Sequence, residues 1–307
     1  MGLEACGWPG PKNTGPDLSK CPNGLAMMGS MQMPMPVIEL DQPGATVSCA
    51  QIYGELHITA QNVTVQNVSI AYNSGKTGEA ANGTAPIVVD DGGSAIIDHV
   101  EINGMVGVHA CIWHQGTSME AHHVNCYGVD DGIFSWADTG YSPTTGDNFT
   151  IDDSYFHDFT TATSNGHEDG YQTEGASTGE IRHNTYDLTT DADSCVAIWD
   201  SLKDSKDITV EDNLMAGGGA AVYADDYSPS ETSPQGGFSV TNVVLKNNVM
   251  STHVSPCVGQ FFVWYARPAE PYGGGPTDGW HRTGNAVLET GENVDNGNPH
   301  VNGQLCQ

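Results

Sequence analysis

A set of short β-branched segments recurs along this chain, and that recurrence restricts the fold more than any other feature. "VTVQNVSI" (63–70), "AIIDHVEI" (95–102), "FTIDDSYF" (149–156), "GEIRHNTY" (179–186), "ITVEDNLM" (208–215) and "NVVLKNNVM" (242–250) share one pattern. Apolar residues alternate, a polar His, Asn or Asp follows, and apolar residues return. "MEAHHVNC" (119–126) and "HRTGNAVL" (281–288) are weaker copies. Aligned on one apolar position, Val65, Ile97, Ala121, Ile151, Ile181, Val210 and Leu245 fall 32, 24, 30, 30, 29 and 35 residues apart. A period in this range, with strand alternation and no helical period, is the signature of stacked coils. Alternation puts one set of side chains inside, and stacking buries a continuous core that no single coil can bury. Asn at the recurring corner tolerates left-handed backbone and can bond along the stack. The predicted class is all-β: a right-handed parallel β-helix of about eight turns. Its handedness comes from precedent among such folds.

Between these segments lies a second strand family: "DGIFSW" (131–136), "DGYQTE" (169–174), "CVAIWD" (195–200) and "AAVYAD" (220–225). Long loops at 137–148, 157–168, 226–237 and 266–280 interrupt the turns on one side. Residues 1–50 are rich in Pro, Met and Gly and are predicted to cap the open end, whose edge would otherwise invite aggregation. Residues 51–307 then form the solenoid domain and its tail.

Nine Lys and Arg face 38 Asp and Glu among 307 residues, a net charge of −29. Nucleic acid is excluded as a partner, because phosphate binding needs a basic footprint. No apolar run is long enough to span a membrane as a helix. The acidity fits a salty habitat, Ca²⁺ held on carboxylates, or a neutral or cationic substrate. Eight scattered cysteines without a Cys-x-x-Cys pair favour disulfides over zinc, and so an oxidising, extracellular setting. Cys111 and Cys126 are close enough in sequence to bridge, and Cys257 with Cys306 can pin the tail. The opening "MGLEACGW" reads as a mature start behind an initiator Met. We expect a secreted monomer.

The stretch "GHEDGYQTEGAS" (166–177) crowds His167, Glu168, Asp169, Gln172 and Glu174 together. If the second-family strands stack, Glu174, Asp200 and Asp225 end their segments in one column, and Asp130 and Asp131 open the preceding turn. Gln172 and Glu174 share one side of their strand, predicted to face out. Phe134, Trp136, Trp199 and Tyr223 accompany the patch and offer faces on which sugar rings stack. Neighbouring turns lie about 4.8 Å apart, which readily supplies the roughly 6.5–9.5 Å separation of an inverting glycosidase's two carboxyls. Crowded carboxylates also raise one another's pKa, keeping one protonated as the acid. The bland alternative is that Asp beside Gly is a turn former.

The runs "VNCYGVDDGIFSW" (124–136) and "HEDGYQTEGASTGEIRHNT" (167–185), with "NTG" near the start, resemble secreted actinobacterial right-handed parallel β-helix proteins. Those carry runs of the type "VNIHGVEDGI" and "HNDGIQVQGGSNIVIRHNT". The likeness covers most of residues 10–250. The broader group is the pectate-lyase-like superfamily of polysaccharide lyases, polygalacturonase-type hydrolases and uronan epimerases. The resemblance implies the fold and singles out Asp131, His167, Asp169 and Gln172. Glu174 and Trp136 depart from the family's runs and rest on the stacking argument.

These readings lead to cleavage of glycosidic bonds in an extended polysaccharide by Asp131, His167, Asp169, Glu174 and Asp200. Gln172, Trp136, Phe134, Trp199, Tyr223, Asp225, Lys203 and Arg267 would bind the substrate. No cofactor is needed for hydrolysis. A β-eliminating lyase or epimerase is the alternative, with Ca²⁺ on Asp130, Asp131 and Asp169 and His167 replacing the usual Lys or Arg base. A non-catalytic glycan-binding solenoid is the third reading.

Overall fold

The computed structural model describes residues 3–135, 148–162, 166–189, 191–225, 240–255, 261–265, 280–295, 300–301 and 304–305. Trp136, Arg267, Cys257 and Cys306 lie outside them. Apart from short 3-10 helices such as Leu3–Cys6, Leu18–Lys20 and Gly78–Ala81, the regular structure is β. Among the described residues the strands form a 16-stranded sheet, a nine-stranded sheet and one small hairpin, and the sheets do not close into a barrel.

Each strand of the two large sheets pairs in parallel with its counterpart one repeat later. The seven aligned apolar residues form an unbroken row: Val65 pairs with Ile97, Ile97 with Ala121, Ala121 with Ile151, then Ile181, Val210 and Leu245. The weak copy at 281–288 joins the same register through Arg282 opposite Leu245. All seven residues are fully buried, in a single apolar core that runs the length of the sheets. The alternation that singled them out in the sequence is therefore a packing pattern. Truncating any one of the larger ones should cost about 2–5 kcal/mol.

The sixteen-stranded sheet bends at a corner where the backbone turns left-handed. Asn67, His99, His123, Asp153, His183, Asp212 and Asn247 all have φ between 50° and 54° there. Short polar side chains and imidazoles tolerate this region better than β-branched ones. The next residue in each turn points inward, and in the later turns it is Asn184, Asn213, Asn248 and Asn285, all fully buried. The N–H of Asn184 donates to Asn213 Oδ1 (2.9 Å), that of Asn213 to Asn248 Oδ1 (3.1 Å), and that of Asn248 to Asn285 Oδ1 (3.0 Å). Their Nδ2 groups donate to the carbonyls of Ile151, Ile181, Val210 and Leu245 in the turn before. Asp295 ends the ladder by accepting from Asn285. Partial burial pulls its carboxyl upward, but hydrogen bonds from Asn293, Asn285 and Gly284 outweigh that and hold it below the ordinary range.

Within residues 1–50, expected to cap the stack, part of the chain belongs to the sheets. Ala26–Met28 and Ile38–Leu40 are already strands of the two sheets, pairing with Thr46–Tyr53 and Leu56–Ile58. Residues 3–21 run along the outside of the bent corner instead. Trp8 stacks on His183 (5.5 Å), Gly15 N–H donates to the His123 carbonyl (2.8 Å), and Asp17 N–H donates to Asn67 Oδ1 (3.0 Å). A Cys21–Cys49 disulfide ties the segment down. The expected Cys111–Cys126 bridge forms and links the two sheets. Cys6 and Cys195 are free thiols. Among the described residues no helix is long and apolar enough to cross a membrane.

Candidate functional site

The nine-stranded sheet carries the residues singled out for chemistry. Ile87, Ile112, Ile133, Tyr171, Val196 and Val222 share one register level and enter the core. One residue further along, Val88, Trp113, Phe134, Gln172, Ala197 and Tyr223 form a row turned away from it. Trp113 and Phe134 stack at 4.7 Å with their planes 12° apart, and Gln172 is next in the row. Gln172 Nε2 donates to Glu174 Oε1 at 3.1 Å, so the amide orients that carboxyl. Glu174, two residues on, lies level with Trp199 and Asp225. Trp199 meets Tyr223 edge-on (5.6 Å), and the His167 ring meets Trp199 from its other neighbour (5.2 Å).

This row was predicted to face solvent, yet Gln172 and Glu174 are buried, as are Phe134 and Trp199. The next turn packs against the end of the strand that carries Gln172. Leu202 N–H donates to the Glu174 carbonyl (2.9 Å), Lys206 N–H to the Ala176 carbonyl (2.9 Å), and a side chain on Gly175 would collide with Lys203. Lys203 thus packs against Gly175, the residue after Glu174.

The predicted column of Glu174, Asp200 and Asp225 needs one correction. The register puts Trp199, not Asp200, level with Asp225. Asp200 is one residue beyond, fully buried, in the turn that wraps Glu174. Strand spacing of about 4.8 Å across and 3.3 Å along puts the Glu174 and Asp200 backbones roughly 6 Å apart, and Glu174 and Asp225 roughly 10 Å apart.

Asp131 and Asp169 form a separate group at the start of the same strands. Asp131 Oδ1 accepts the N–H of Asp169 (2.8 Å), and its Oδ2 faces His109 Nε2 (3.1 Å). Asp169 Oδ1 accepts from the Ser194 hydroxyl in the next turn. Both carboxyls are buried. Burial first, and then the neighbouring Asp131 charge, push the Asp169 carboxyl well above the ordinary range, against the Ser194 hydrogen bond. Asp169 therefore holds a proton under conditions where a solvated carboxyl has lost it. Gly166 packs directly on the Asp130 carboxylate, where any side chain would collide. Both Asp131 oxygens and one Asp169 oxygen already have protein partners. Among the described residues, Asp130, Asp131 and Asp169 do not converge within ligand distance of one another.

The sequence reading missed three residues that complete these groups. Trp113 belongs to the aromatic row, and its segment "ACIWHQ" has the same inward–outward alternation as "DGIFSW". His109 accepts from Gly83 N–H through Nδ1 (3.0 Å), which leaves Nε2 for Asp131 and makes it a positioning group. Ser194 gives no sequence signal of its own, because only the register brings it to Asp169.

No family model matches this chain, and no curated protein matches it at a significant level.

Proposed function

We propose that the chain winds as a right-handed parallel β-helix and acts outside the cell, where it cleaves glycosidic bonds of an extended polysaccharide along its nine-stranded sheet. The observation that carries this reading is the row of Trp113, Phe134, Gln172, Glu174, Trp199 and Tyr223. It combines aromatic faces with an amide–carboxyl pair held by the Gln172 to Glu174 hydrogen bond. Flat rings stack on sugar faces, while amide and carboxyl groups bind hydroxyls. Glu174 and Asp200 are the proposed acid–base pair, offered from adjacent turns, with His167 against Trp199 and Lys203 against Gly175. Asp131 and Asp169 support the turn that carries His167, through Ser194 and His109.

Glu174→Gln keeps shape and hydrogen bonding but removes the acid function, so polymer release should fall by about 10²-fold or more. The assay is a polysaccharide panel read by reducing ends and by the ultraviolet absorbance of unsaturated uronides, with and without chelator. New reducing ends without absorbance mean hydrolysis. Absorbance lost on chelation means elimination assisted by Ca²⁺. Full release by a folded Glu174→Gln variant would sink the site assignment.

One observation favours a second reading. Asp131, Asp169, Glu174 and Asp200 are all buried. A glycan-binding solenoid without catalysis would retain polymer in affinity electrophoresis and release nothing.

A further inference from the structure

The corner of the sixteen-stranded sheet carries a second chemical group, and nothing in the glycan reading uses it. Asn67, Asp153, Asp212 and Asn247 hold the left-handed position in four turns, but two consecutive turns place His99 (φ 54°) and His123 (φ 51°) there. The strands pair Asp98 with His122, so the two imidazoles lie one above the other. Their rings stack at 4.1 Å with planes 21° apart. Both rings turn the same nitrogen to one oxygen: Asp98 Oδ1 is 2.7 Å from His99 Nδ1 and 3.1 Å from His123 Nδ1. Ligand atoms of all three residues lie within 4.8 Å of one another, and the three side chains are half-buried.

We propose that Asp98, His99 and His123 bind one divalent transition-metal ion of the zinc class. Two imidazole nitrogens and one carboxylate oxygen form the N/O donor set that zinc, nickel and copper prefer, whereas calcium and magnesium select all-oxygen sites. Zinc bonds of about 2.0–2.1 Å in tetrahedral geometry place ligand atoms roughly 3.3 Å apart. The two nitrogen–oxygen distances need to open only slightly to admit the ion. Three protein ligands leave one position for water. The backbone is fixed on both sides, because both histidines sit at a bend within paired strands and the His123 carbonyl accepts from Gly15 N–H. The surroundings are mixed: Asp17 lies close enough to interact with His99, and Lys20 lines the same surface pocket.

The corner contains its own control. Two turns further on, His183 pairs with Asp153 (2.5 Å), but Asp153 and Asp212 hold the corner position in the turns on either side, and the ring that stacks on His183 is Trp8. That pair offers one nitrogen instead of two.

The test is equilibrium dialysis and calorimetry of the whole metal-stripped chain with Zn²⁺ near neutral pH, with melting temperature read in parallel. The parent should bind one equivalent more than His123→Asn, and Zn²⁺ should raise the melting temperature of the parent but not of that variant. Asn suits the left-handed corner, so this variant is expected to fold. Asp98→Asn keeps both rings and should weaken that equivalent about tenfold or more. His183→Asn should bind as the parent does. Equal zinc uptake by the parent, His123→Asn and Asp98→Asn would overturn the proposal, as would a parent that takes up none.

Discussion

Two buried polar columns run along this molecule, and they solve the same problem differently. The corner column, Asn184 to Asn285, is built from neutral amides. Each Oδ1 accepts from the turn before, each Nδ2 donates both to a carbonyl of that turn and to the Oδ1 of the next, and Asp295 ends the series. The column on the nine-stranded sheet is built from carboxyls, an amide and indoles, and its accounts do not close. Asp169 Oδ2, Gln172 Oε1 and Trp199 Nε1 are buried with no hydrogen-bond partner among the described residues. An unsatisfied buried polar atom costs about 1–3 kcal/mol. The amide ladder shows that this chain can satisfy a buried polar column when stability is the only demand. A column left unsatisfied at stability's expense is the kind of place where function resides.

The comparison can be broken first at the ladder. Asn213→Ala removes the acceptor for Asn184 N–H and the donor to the Ile181 carbonyl, and leaves Asn248 Oδ1 with only the backbone N–H of residue 213 as its donor from that turn. It should cost about 3 kcal/mol in urea unfolding and leave polymer release unchanged. A cost below about 0.5 kcal/mol would mean that the ladder is ornament.

Asp169→Asn should act in the opposite sense. A buried carboxyl whose folded pKa is raised binds its proton more tightly in the native chain. Its presence therefore lowers stability as pH rises from the ordinary carboxyl range through the raised value. The variant should melt higher than the parent at neutral and alkaline pH and alike in acid, with the gap read from melting curves across pH. A variant that melts lower at every pH would mean that the Ser194 hydrogen bond needs the charge.

The smallest effect is expected on the outer face of the corner sheet. A hydrogen bond from Asp152, against the opposing effect of partial burial, raises the His122 imidazole to about 9. Asp152 is lowered, because contacts with His122 and Arg182 outweigh its burial. A raised imidazole contributes stability that is whole below its unfolded pKa and fades as pH rises through about 9. His122→Gln should remove that alkaline loss, a change of about 1 kcal/mol at most once solvent screening is counted. An unchanged alkaline profile would place the sensitivity elsewhere.

The register of the large sheet was legible in the sequence because one inward position repeats in every turn, and each of its residues must be apolar. Even Ala121, the least distinctive of the seven, falls in line. The candidate site was legible by residue type but not by level. "CVAIWD" was matched by its last residue, whereas the fold matches it by Val196, the side chain that enters the core. Trp199 consequently takes the level meant for Asp200. Burial of the row was not legible at all, because side-chain contacts such as that of His167 on Trp199 leave no periodic trace. The path of residues 3–21 was hidden for the same reason, since Trp8 and Asp17 meet turns far downstream.

That path bears on how the molecule comes apart. A stack whose layers touch only their neighbours can fray one layer at a time from either end. Residues 3–21 cross the layers of Asn67, His123 and His183, and a covalent staple holds one end at Cys49. Loosening an early layer therefore also strips contacts from layers well beyond it. The first half of the stack should melt as one block, while the layers past His183 keep the freedom to peel.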